Sequence, residues 1–356
     1  MTTNLVSIDW FSATIKTIEK CPFEAVKAVI SELLLMKIEQ FSLQSYGINR
    51  YNSHFSCGDI KVYYSIDERT GKLSQKMGIF VQMTGQGCRQ YEEYLHKNDN
   101  NWVALFQRFV SKEANFTRVD IAHDIFDRSL NVPLIYDYCK KGLCISQSKK
   151  YQYFETGILE SGATVGETVN IGVKGSDSQQ LSIYNKKMEQ VDSGKQVDVE
   201  DWVRCELRLF GKKANAFAVS MIDHTPLPTL FFGLVNQSYR FVLDDEYSKD
   251  KNKRRRPTVK WWNDYLATKE VTILKIDREK RTLAKSERFL DKQSSKTLAM
   301  VYHAKAEAFG DDFANQYILD LISEGEKRLT TKDKELVEQY VQEQQSGKYW
   351  GTVRSD

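Results

Sequence analysis

Three short segments in the middle of the chain alternate apolar and polar residues with the period of two that predicts β-strands. The segments span 118–124, 181–186 and 203–208. Their apolar positions include Val119, Ile121, Ile183, Cys205 and Leu207, and their polar positions hold Arg118, Asp120 and Asp124, then Ser182, Tyr184 and Lys186, then Arg204, Glu206 and Arg208. If the three strands share one sheet, the polar side chains gather on one surface while the other surface closes a core.

The same kinds of pattern continue on both sides of these segments. Strand alternation recurs near 8–15, 151–156 and 168–173, and segments 59–64 and 78–83 flank a turn-rich stretch that predicts a hairpin. Helical spacing covers 23–38, 91–110 and 134–141, and it dominates from residue 212 onward. Hairpins interrupted by occasional helices predict an α+β fold with a mainly antiparallel sheet flanked by helices, rather than a repeating βαβ fold.

A dense basic segment divides the chain into two parts. It contains Lys249, Lys251, Lys253, Arg254, Arg255, Arg256 and Lys260, with Asp250 as its one acid and Pro257 near its end. Such a composition discourages packing. We therefore predict a sheet domain over 1–245, a basic linker over 246–260 and a mostly helical C-terminal region over 261–356. Trp261 and Trp262 would open that region, and Thr331 would cap its last helix.

Composition and charge narrow the class of protein only a little. The 356 residues are 41% hydrophobic and 28% charged, which is typical of a globular chain long enough for a full core. A net charge of +3 is too small to indicate a nucleic-acid partner. The local cluster Lys253, Arg254, Arg255 and Arg256 is a stronger signal, because such a cluster attracts phosphate. A solvated loop explains it equally well.

Other signals are largely negative. No run approaches the roughly 18 apolar residues that a membrane helix needs, and the first residues lack the basic start of a signal peptide, so we expect no membrane partner and a cytoplasmic location. The six cysteines form no CxxC pair, which argues against a zinc site or a disulfide framework. Segment 84–89 resembles neither a dinucleotide fingerprint nor a P-loop, and it predicts a tight turn into a helix whose amides and Arg89 could meet a phosphate.

The acidic residues of the polar face suggest metal-assisted chemistry on phosphodiesters. Asp120, Asp124 and Glu206 offer the hard oxygen ligands that Mg²⁺ or Mn²⁺ prefers. Cross-strand ion pairs with Arg118, Arg204 and Arg208 are the alternative. Asp120 with Glu206 is the preferred metal pair, because Asp124 lies two pleats, roughly 13 Å, along the strand from Asp120.

Tyr184 is the candidate nucleophile on this face, although tyrosine is also an ordinary strand residue. A phenol with a pKa near 10 needs about 4 kcal/mol to be freely ionised at neutral pH. A metal ion and Lys186 could supply much of that by favouring the anion. Attack on phosphorus would leave a phosphotyrosine bond that conserves energy for rejoining. His123 points to the opposite face and is expected to pack there.

These motifs resemble the Rep_trans type of replication initiation factors, which serve rolling-circle plasmids and phages and include relaxases of integrative conjugative elements. The matching stretches are 83–89, 117–124, 170–176, 182–186 and 202–208, together with Trp261 and Trp262. The resemblance implies sequence-specific nicking of an origin by Tyr184 with Lys186 beside it, and a divalent metal at Asp120, Asp124 and Glu206. It differs at Asn185, where aspartate is usual, and at 173–175, where a Ser-Arg-Lys run is usual.

The resemblance also implies partners and DNA contacts. Origin DNA, single-stranded or extruded as a hairpin, would meet Arg89, Arg118, Lys174, Arg204 and Arg208 as well as the basic linker. The C-terminal helices would contact DNA, a second protomer or a helicase, or else form a solvated appendage. Three alternatives to a replication initiator stay open: a conjugative relaxase at a transfer origin, a non-enzymatic DNA-binding initiator or repressor, and a hydrolytic nuclease in which Tyr184 only packs.

Overall fold

A computed structural model describes residues 5–74, 76–173, 178–223, 225–244, 252–266, 283, 286–287 and 290–345. The chain forms two compact units, Met1–Ile276 and Asp277–Asp356. Within the described residues, no helix is both long enough and apolar enough to cross a bilayer.

The first unit is built on a ten-stranded sheet in which every neighbouring pair is antiparallel. Its strands are β1 (Leu5–Ile15), β2 (Ser42–Gln44), β3 (Ser53–Cys57), β4 (Ile60–Tyr64), β5 (Ile79–Met83), β6 (Asn115–Ile125), β8 (Tyr151–Gly157), β9 (Thr164–Ile171), β10 (Gln179–Asn185) and β11 (Val203–Phe210). They lie in the order β2-β3-β4-β5-β1-β6-β11-β10-β9-β8. Strands β7 (Cys144–Ser146) and β12 (Tyr239–Phe241) form a separate pair. The three strands predicted first, β6, β11 and β10, are direct neighbours.

Eight α-helices are described in this unit. They are α1 (Pro22–Ala28), α2 (Gly85–Lys97), α3 (Trp102–Ser111), α4 (Val132–Lys140), α5 (Lys186–Asp192), α6 (Lys212–Ile222), α7 (Leu227–Ser238) and α8 (Lys260–Leu266). The second unit contains α9 (Ser295–Phe309), α10 (Asp311–Glu326) and α11 (Thr331–Gln345) among its described residues. The predicted α+β fold, a mainly antiparallel sheet flanked by helices with a helical C-terminal region, is confirmed.

The core lies on the apolar face of the sheet. Phe11 of β1 packs edge-on against Phe106 and Phe109 of α3 and against Phe116 of β6, with ring centroids 5.0–5.8 Å apart. His123 is buried on this same side, with Nδ1 3.1 Å from the Tyr265 hydroxyl. Burying each large apolar side chain contributes roughly 1.5–3 kcal/mol, so the alternation of β6 fixes which of its faces turns inward.

Several local predictions are refined by the structure. The 59–64 and 78–83 hairpin is confirmed as β4 and β5. The helix predicted over 91–110 is two helices, because the Asn101 side chain accepts a hydrogen bond from the Ala104 amide and starts α3 there. The last helix is capped by Thr330 rather than Thr331, since the Thr330 hydroxyl and the Asp333 carboxylate exchange hydrogen bonds with each other's backbone amides.

Residues 252–258, the described end of the basic segment, are part of the first unit. Lys253–Arg255 form a short 3₁₀ turn, and Thr258 bridges to Val242 beside β12. Helix α8 follows, with Trp262 fully buried in the core of the same unit. The boundaries predicted at 245 and 260 stay a prediction about domain organisation, and Lys249 and Lys251 lie outside the described residues.

Candidate active site on the polar face of the central sheet

Strand register brings the predicted polar side chains into three rows. Arg204 lies opposite Asp124 of β6 on one side and Tyr184 of β10 on the other. Two residues along, Ser182 is paired with Glu206. At the end of the array, Arg208 lies opposite Asp120. The polar face is therefore one contiguous surface of acids, arginines and the tyrosine.

Two of the predicted acids share two arginines. The Arg118 guanidinium donates to both carboxylate oxygens of Asp120, with Nε 2.8 Å from Oδ1. Arg208 donates to both oxygens of Glu206, at 2.8 and 3.1 Å. Arg118 Nη2 is also 4.0 Å from Glu206, and Arg208 Nε is 3.9 Å from Asp120. Asp120 and Glu206 thus form one cluster, as the preferred metal pair requires.

Burial acts to raise the pKa values of both acids, and their different partners set the two values apart. Asp120 is 1% exposed and Glu206 is 4% exposed. Burial, together with the nearby charge of Glu206, raises the pKa of Asp120 well above its ordinary value, even though Arg118 opposes the shift. Burial also acts to raise the pKa of Glu206, but its bonds to Arg208 and the charge of Arg118 outweigh this and lower it. Asp120 therefore holds the proton of the pair more tightly, and Glu206 is the more readily ionised acid.

A second cluster surrounds Arg204. Its Nε and Nη2 donate to the two oxygens of Asp124, both at 2.8 Å, and its Nη1 donates to Asp9 Oδ1 at 3.0 Å. The indole nitrogen of Trp202 also donates to Asp124, at 2.6 Å. Asp124 is thus committed to Arg204 and Trp202, whereas Asp120 and Glu206 share Arg118 and Arg208. The predicted arginines form the ion pairs of the alternative interpretation, with the predicted acids buried and the arginines half-buried.

Asp9 is the acid that the sequence interpretation missed. It is the extra residue where the β1–β6 register shifts between Ile8 and Trp10, a bulge that turns its carboxylate toward Arg204. Burial raises the pKa of Asp9 and the charge of Glu206 adds to the effect, while Arg204 opposes it. An acid between two apolar residues of a predicted strand was the available signal, but the bulge that redirects it leaves no mark in the sequence.

Tyr184 lies at the edge of this surface and lines a cleft of about 410 Å³. Its hydroxyl donates to Glu206 Oε2 at 3.4 Å. Burial and the charge of Glu206 raise the pKa of Tyr184, and Arg204 opposes that rise. The phenol is therefore protonated in this state, and cleavage chemistry would require positive charge or a proton acceptor beside it.

Lys186 does not extend the strand as predicted. The Asn185 side chain accepts from the Met188 amide at 3.0 Å, which ends β10 and makes Lys186 the first residue of α5. The Lys186 ammonium still lies 5.6 Å from the centre of the Tyr184 ring, but its hydrogen-bond partner is Glu189 at 2.7 Å. It contributes a cation near the ring and is paired with Glu189.

The acids fit a divalent ion only in part. Across the residues that the structure describes, no group of three or more acids, histidines or cysteines is arranged to hold a metal. Asp120 and Glu206 nevertheless supply two adjacent carboxylates. Burial, and after it the charge of Glu206, raises the pKa of Asp120, and a bound cation would favour its ionised form. Magnesium is commonly held by one or two carboxylates with substrate phosphate completing its shell, so the donor chemistry fits.

The predicted DNA-binding residues fall into three groups. Arg118, Arg204 and Arg208 are held by the acids, and Arg118 also stacks 4.1 Å from the Trp10 ring centre. Arg89 is tied to Glu92 and to the Ile8 carbonyl. In the basic segment, Lys253 donates to the Lys141 carbonyl and Arg256 to the Leu243 carbonyl, while Arg254 and Arg255 are exposed. Lys174 lies outside the described residues.

The nearest alternative tyrosines are on the other side of the sheet. Tyr153 is paired with the core residue Val169 and stacks on Tyr136 of α4, with ring centres 4.0 Å apart. Tyr151 is paired with Ile171, which is also buried in the core. Because alternate residues of a strand face opposite ways, both tyrosines lie away from the acid and arginine clusters.

The chain is similar to known replication initiation proteins and to a putative relaxase. The family described as "Replication initiation factor" matches residues 114–322, and the family described as "Rolling Circle replication initiation protein N-terminal domain" matches residues 5–108. A putative DNA relaxase, NicK of Bacillus subtilis (strain 168), is 26% identical over 336 residues, which cover 94% of this chain and 89% of that protein. A solved structure of the rolling circle replication initiator protein from Geobacillus stearothermophilus is 28% identical with a TM-score of 0.61, over 76% of this chain and 99% of that one.

Proposed function

Because this chain belongs to the replication initiation factor family, we propose that it nicks and rejoins origin DNA in rolling-circle replication through a covalent bond to Tyr184. The observation that carries the proposal is the position of the phenol. It lines an open cleft and donates to Glu206, within a contiguous surface of acids and arginines. Tyr184 lies on this surface, whereas the alternative nucleophiles Tyr151 and Tyr153 lie on the other side of the sheet.

The reaction begins with the Tyr184 hydroxyl. Glu206 Oε2, 3.4 Å away, accepts the hydrogen bond of the phenol, and its lowered pKa keeps it ionised, so it can receive the phenolic proton as the bond to phosphorus forms. The phenolic oxygen bonds to phosphorus as the bond from phosphorus to one deoxyribose oxygen breaks, and that oxygen leaves as a hydroxyl after taking up a proton. The reverse attack by a deoxyribose hydroxyl restores the DNA and the tyrosine, so neither direction requires ATP.

Cations on the polar face stabilise the charge that develops. Arg204 already opposes the rise in the pKa of Tyr184, so it favours the phenolate. Arg208 lines the same cleft and faces the phosphate that enters it. A bound Mg²⁺ or Mn²⁺ would polarise a phosphoryl oxygen, and Asp120 and Glu206 are the residues that would hold it. Asp9 and Asp124 fix the orientation of Arg204.

The test is to trap the covalent adduct on a labelled single-stranded oligonucleotide that carries the origin, with Mg²⁺ or Mn²⁺ present. The unmodified protein is expected to form a protein–DNA adduct, and Tyr184→Phe is expected to lose at least about a thousandfold in adduct formation, because the ring remains but the nucleophile is gone. Tyr153→Phe is the matched control and should retain the adduct. An adduct that persists in Tyr184→Phe would disprove the assignment.

A conjugative relaxase is the second candidate, and the similarity to the putative relaxase over nearly the whole chain favours it. The two functions share their chemistry and differ in the DNA that is cut. Adduct formation on a transfer origin rather than a replication origin would select the relaxase. Binding without cleavage under either metal would instead select a non-enzymatic DNA-binding initiator, and cleavage without an adduct would select a hydrolytic nuclease.

A further inference from the structure

The cleft beside Tyr184 contains two buried polar atoms without partners among the residues that the structure describes. Ser182 is 1% exposed and Asn170 is 9% exposed. The Ser182 hydroxyl and the Asn170 amide oxygen make no hydrogen bond to any of those residues. The two residues are paired across β10 and β9, and both line the cleft. A buried polar atom without a partner is destabilising, so these two atoms point to a ligand that hydrogen-bonds to them.

The shape and chemistry of the cleft suit a nucleobase. Its volume of about 410 Å³ is within the range of roughly 300–1,000 Å³ for small-ligand sites. Phe154 lines it with 52% of its surface exposed and offers an aromatic face for stacking. Asn170 and Ser182 supply hydrogen-bonding groups of the kind that read base edges.

The charges around the cleft indicate which part of a nucleotide binds in it. Glu167 and Asp192 line the cleft, and as carboxylates they accept hydrogen bonds and repel phosphate. Arg208 is the cation of the lining and lies toward the acid cluster. A base therefore fits among the acceptors while its phosphate lies toward Arg208 and Tyr184. The acceptors favour a base that carries an exocyclic amine.

We propose that this cleft is a base-recognition pocket, which binds one unstacked nucleobase bearing an exocyclic amine beside the phosphate that Tyr184 attacks. The pocket is formed by Asn170, Ser182 and Phe154. It rests on the proposed nicking function for its position next to the scissile phosphate, but base binding itself requires no reaction. Phe154 and Tyr184 belong to the same rung of the sheet through Thr168, two strand spacings or roughly 10 Å apart, so a base in the pocket keeps its own phosphate near the phenol.

The test compares the binding of single-stranded oligo(dC) and oligo(dU) decamers to the full chain in EDTA, which prevents metal-dependent cleavage. Cytosine and uracil differ along one edge of the ring, where cytosine carries an exocyclic amine beside an acceptor N3 and uracil carries a carbonyl beside an N3–H donor, so the comparison tests recognition of that edge. We expect the dC decamer to bind about tenfold more tightly. Equal binding, or tighter binding of dU, would overturn the proposal.

Variants assign the preference to the pocket. Asn170→Ala and Ser182→Ala are each expected to bring the dC:dU ratio toward one, whereas Phe154→Ala should weaken both decamers about equally, by about tenfold. Gln152→Ala is the matched control, because Gln152 is an exposed amide paired with Asn170 across β8 and β9, and it should leave the ratio unchanged. An unchanged ratio in both Asn170→Ala and Ser182→Ala would show that the pocket does not recognise the base.

Thermal unfolding separates recognition from a structural role. Ser182→Ala deletes an unpartnered buried hydroxyl, so the variant should melt at the same temperature as the parent or higher while losing its base preference. A lowered melting temperature with an intact dC:dU ratio would mean that the hydroxyl serves the fold. The two proposals also fail differently. An adduct that persists in Tyr184→Phe refutes the tyrosine nucleophile alone, and absence of a dC:dU preference in the parent protein refutes the pocket alone.

Discussion

The two faces of strands β6, β11 and β10 are built from alternate residues of the same segments, yet they are stabilised in different ways. Leu207 faces the core with no exposed surface, and Glu206 beside it faces the arginines at 4% exposure. Both faces are therefore buried. The apolar face gains stability from area removed from water, and each contact there is largely independent of charge elsewhere. On the polar face every charge depends on its partners, because a buried ion without a counter-ion is costly.

This difference gives a physical reason for the position of Tyr184, the proposed nucleophile, on the polar face. A face held by paired acids and arginines keeps fixed charges beside the phenol, in surroundings where water screens them little. The same arrangement makes the face sensitive to the removal of one partner and to pH. The apolar face should show neither sensitivity.

The largest expected effect on stability is that of Arg204→Ala. It would leave Asp124 and Asp9 buried without their cation, and we expect the free energy of unfolding to fall by about 3–5 kcal/mol in urea denaturation. Arg128→Ala is the matched control, because Arg128 pairs with Glu200 where both side chains are mostly exposed. Such surface pairs contribute about 0–1 kcal/mol. Similar losses in the two variants would show that the polar face is not held by buried pairs.

A smaller effect is expected in the pH dependence of stability. The pKa of Asp120 is raised in the folded protein, so its contribution to stability is fully present below the unfolded pKa and is lost as pH rises through the folded value. Asp120→Asn keeps a neutral side chain at all pH values and removes that contribution. Stability of the parent should therefore fall relative to the variant as pH rises from about 4, by up to about 1.4 kcal/mol per pH unit.

Urea denaturation at a series of pH values measures this difference. Glu206 has a lowered pKa and contributes in the opposite sense, since its stabilisation is lost as pH falls through the folded value. The two acids therefore act in different pH ranges. Leu207→Ala is the apolar control and should lower stability by about 2–5 kcal/mol with the parent's dependence on pH. Identical pH profiles for the parent and Asp120→Asn would contradict a proton held on Asp120.

The sequence predicted the strands and their faces because alternation with a period of two is a local property. The predicted strands therefore match β6, β11 and β10. Asp120 and Glu206, which lie on neighbouring strands, form one cluster as expected. What it could not supply were features set by three-dimensional context. The bulge at Asp9, the helix that begins at Lys186, and the commitment of Asp124 to Arg204 all depend on register and capping between segments far apart in the chain.

The burial of the charged side chains was the other feature that the alternation of apolar and polar residues could not predict. A charged strand face predicts a wet surface in an antiparallel sheet, whereas here Asp120 and Glu206 are enclosed with their arginines. The charge density of the basic segment predicts a linker, which stays a prediction, and within the segment's described residues Lys253 and Arg256 donate hydrogen bonds to the backbone carbonyls of Lys141 and Leu243.

The smallest expected effect on stability is at Arg254, which extends the comparison to an exposed charge. Arg254→Ala should change the free energy of unfolding by no more than about 0.5 kcal/mol, because no buried partner loses its counter-ion. If this arginine meets phosphate, the slope of log affinity for DNA against log salt should shrink by about one. Lys72→Ala is the control, an exposed loop cation that should leave the slope unchanged. An unchanged slope in Arg254→Ala would show that this arginine does not contact the DNA phosphates.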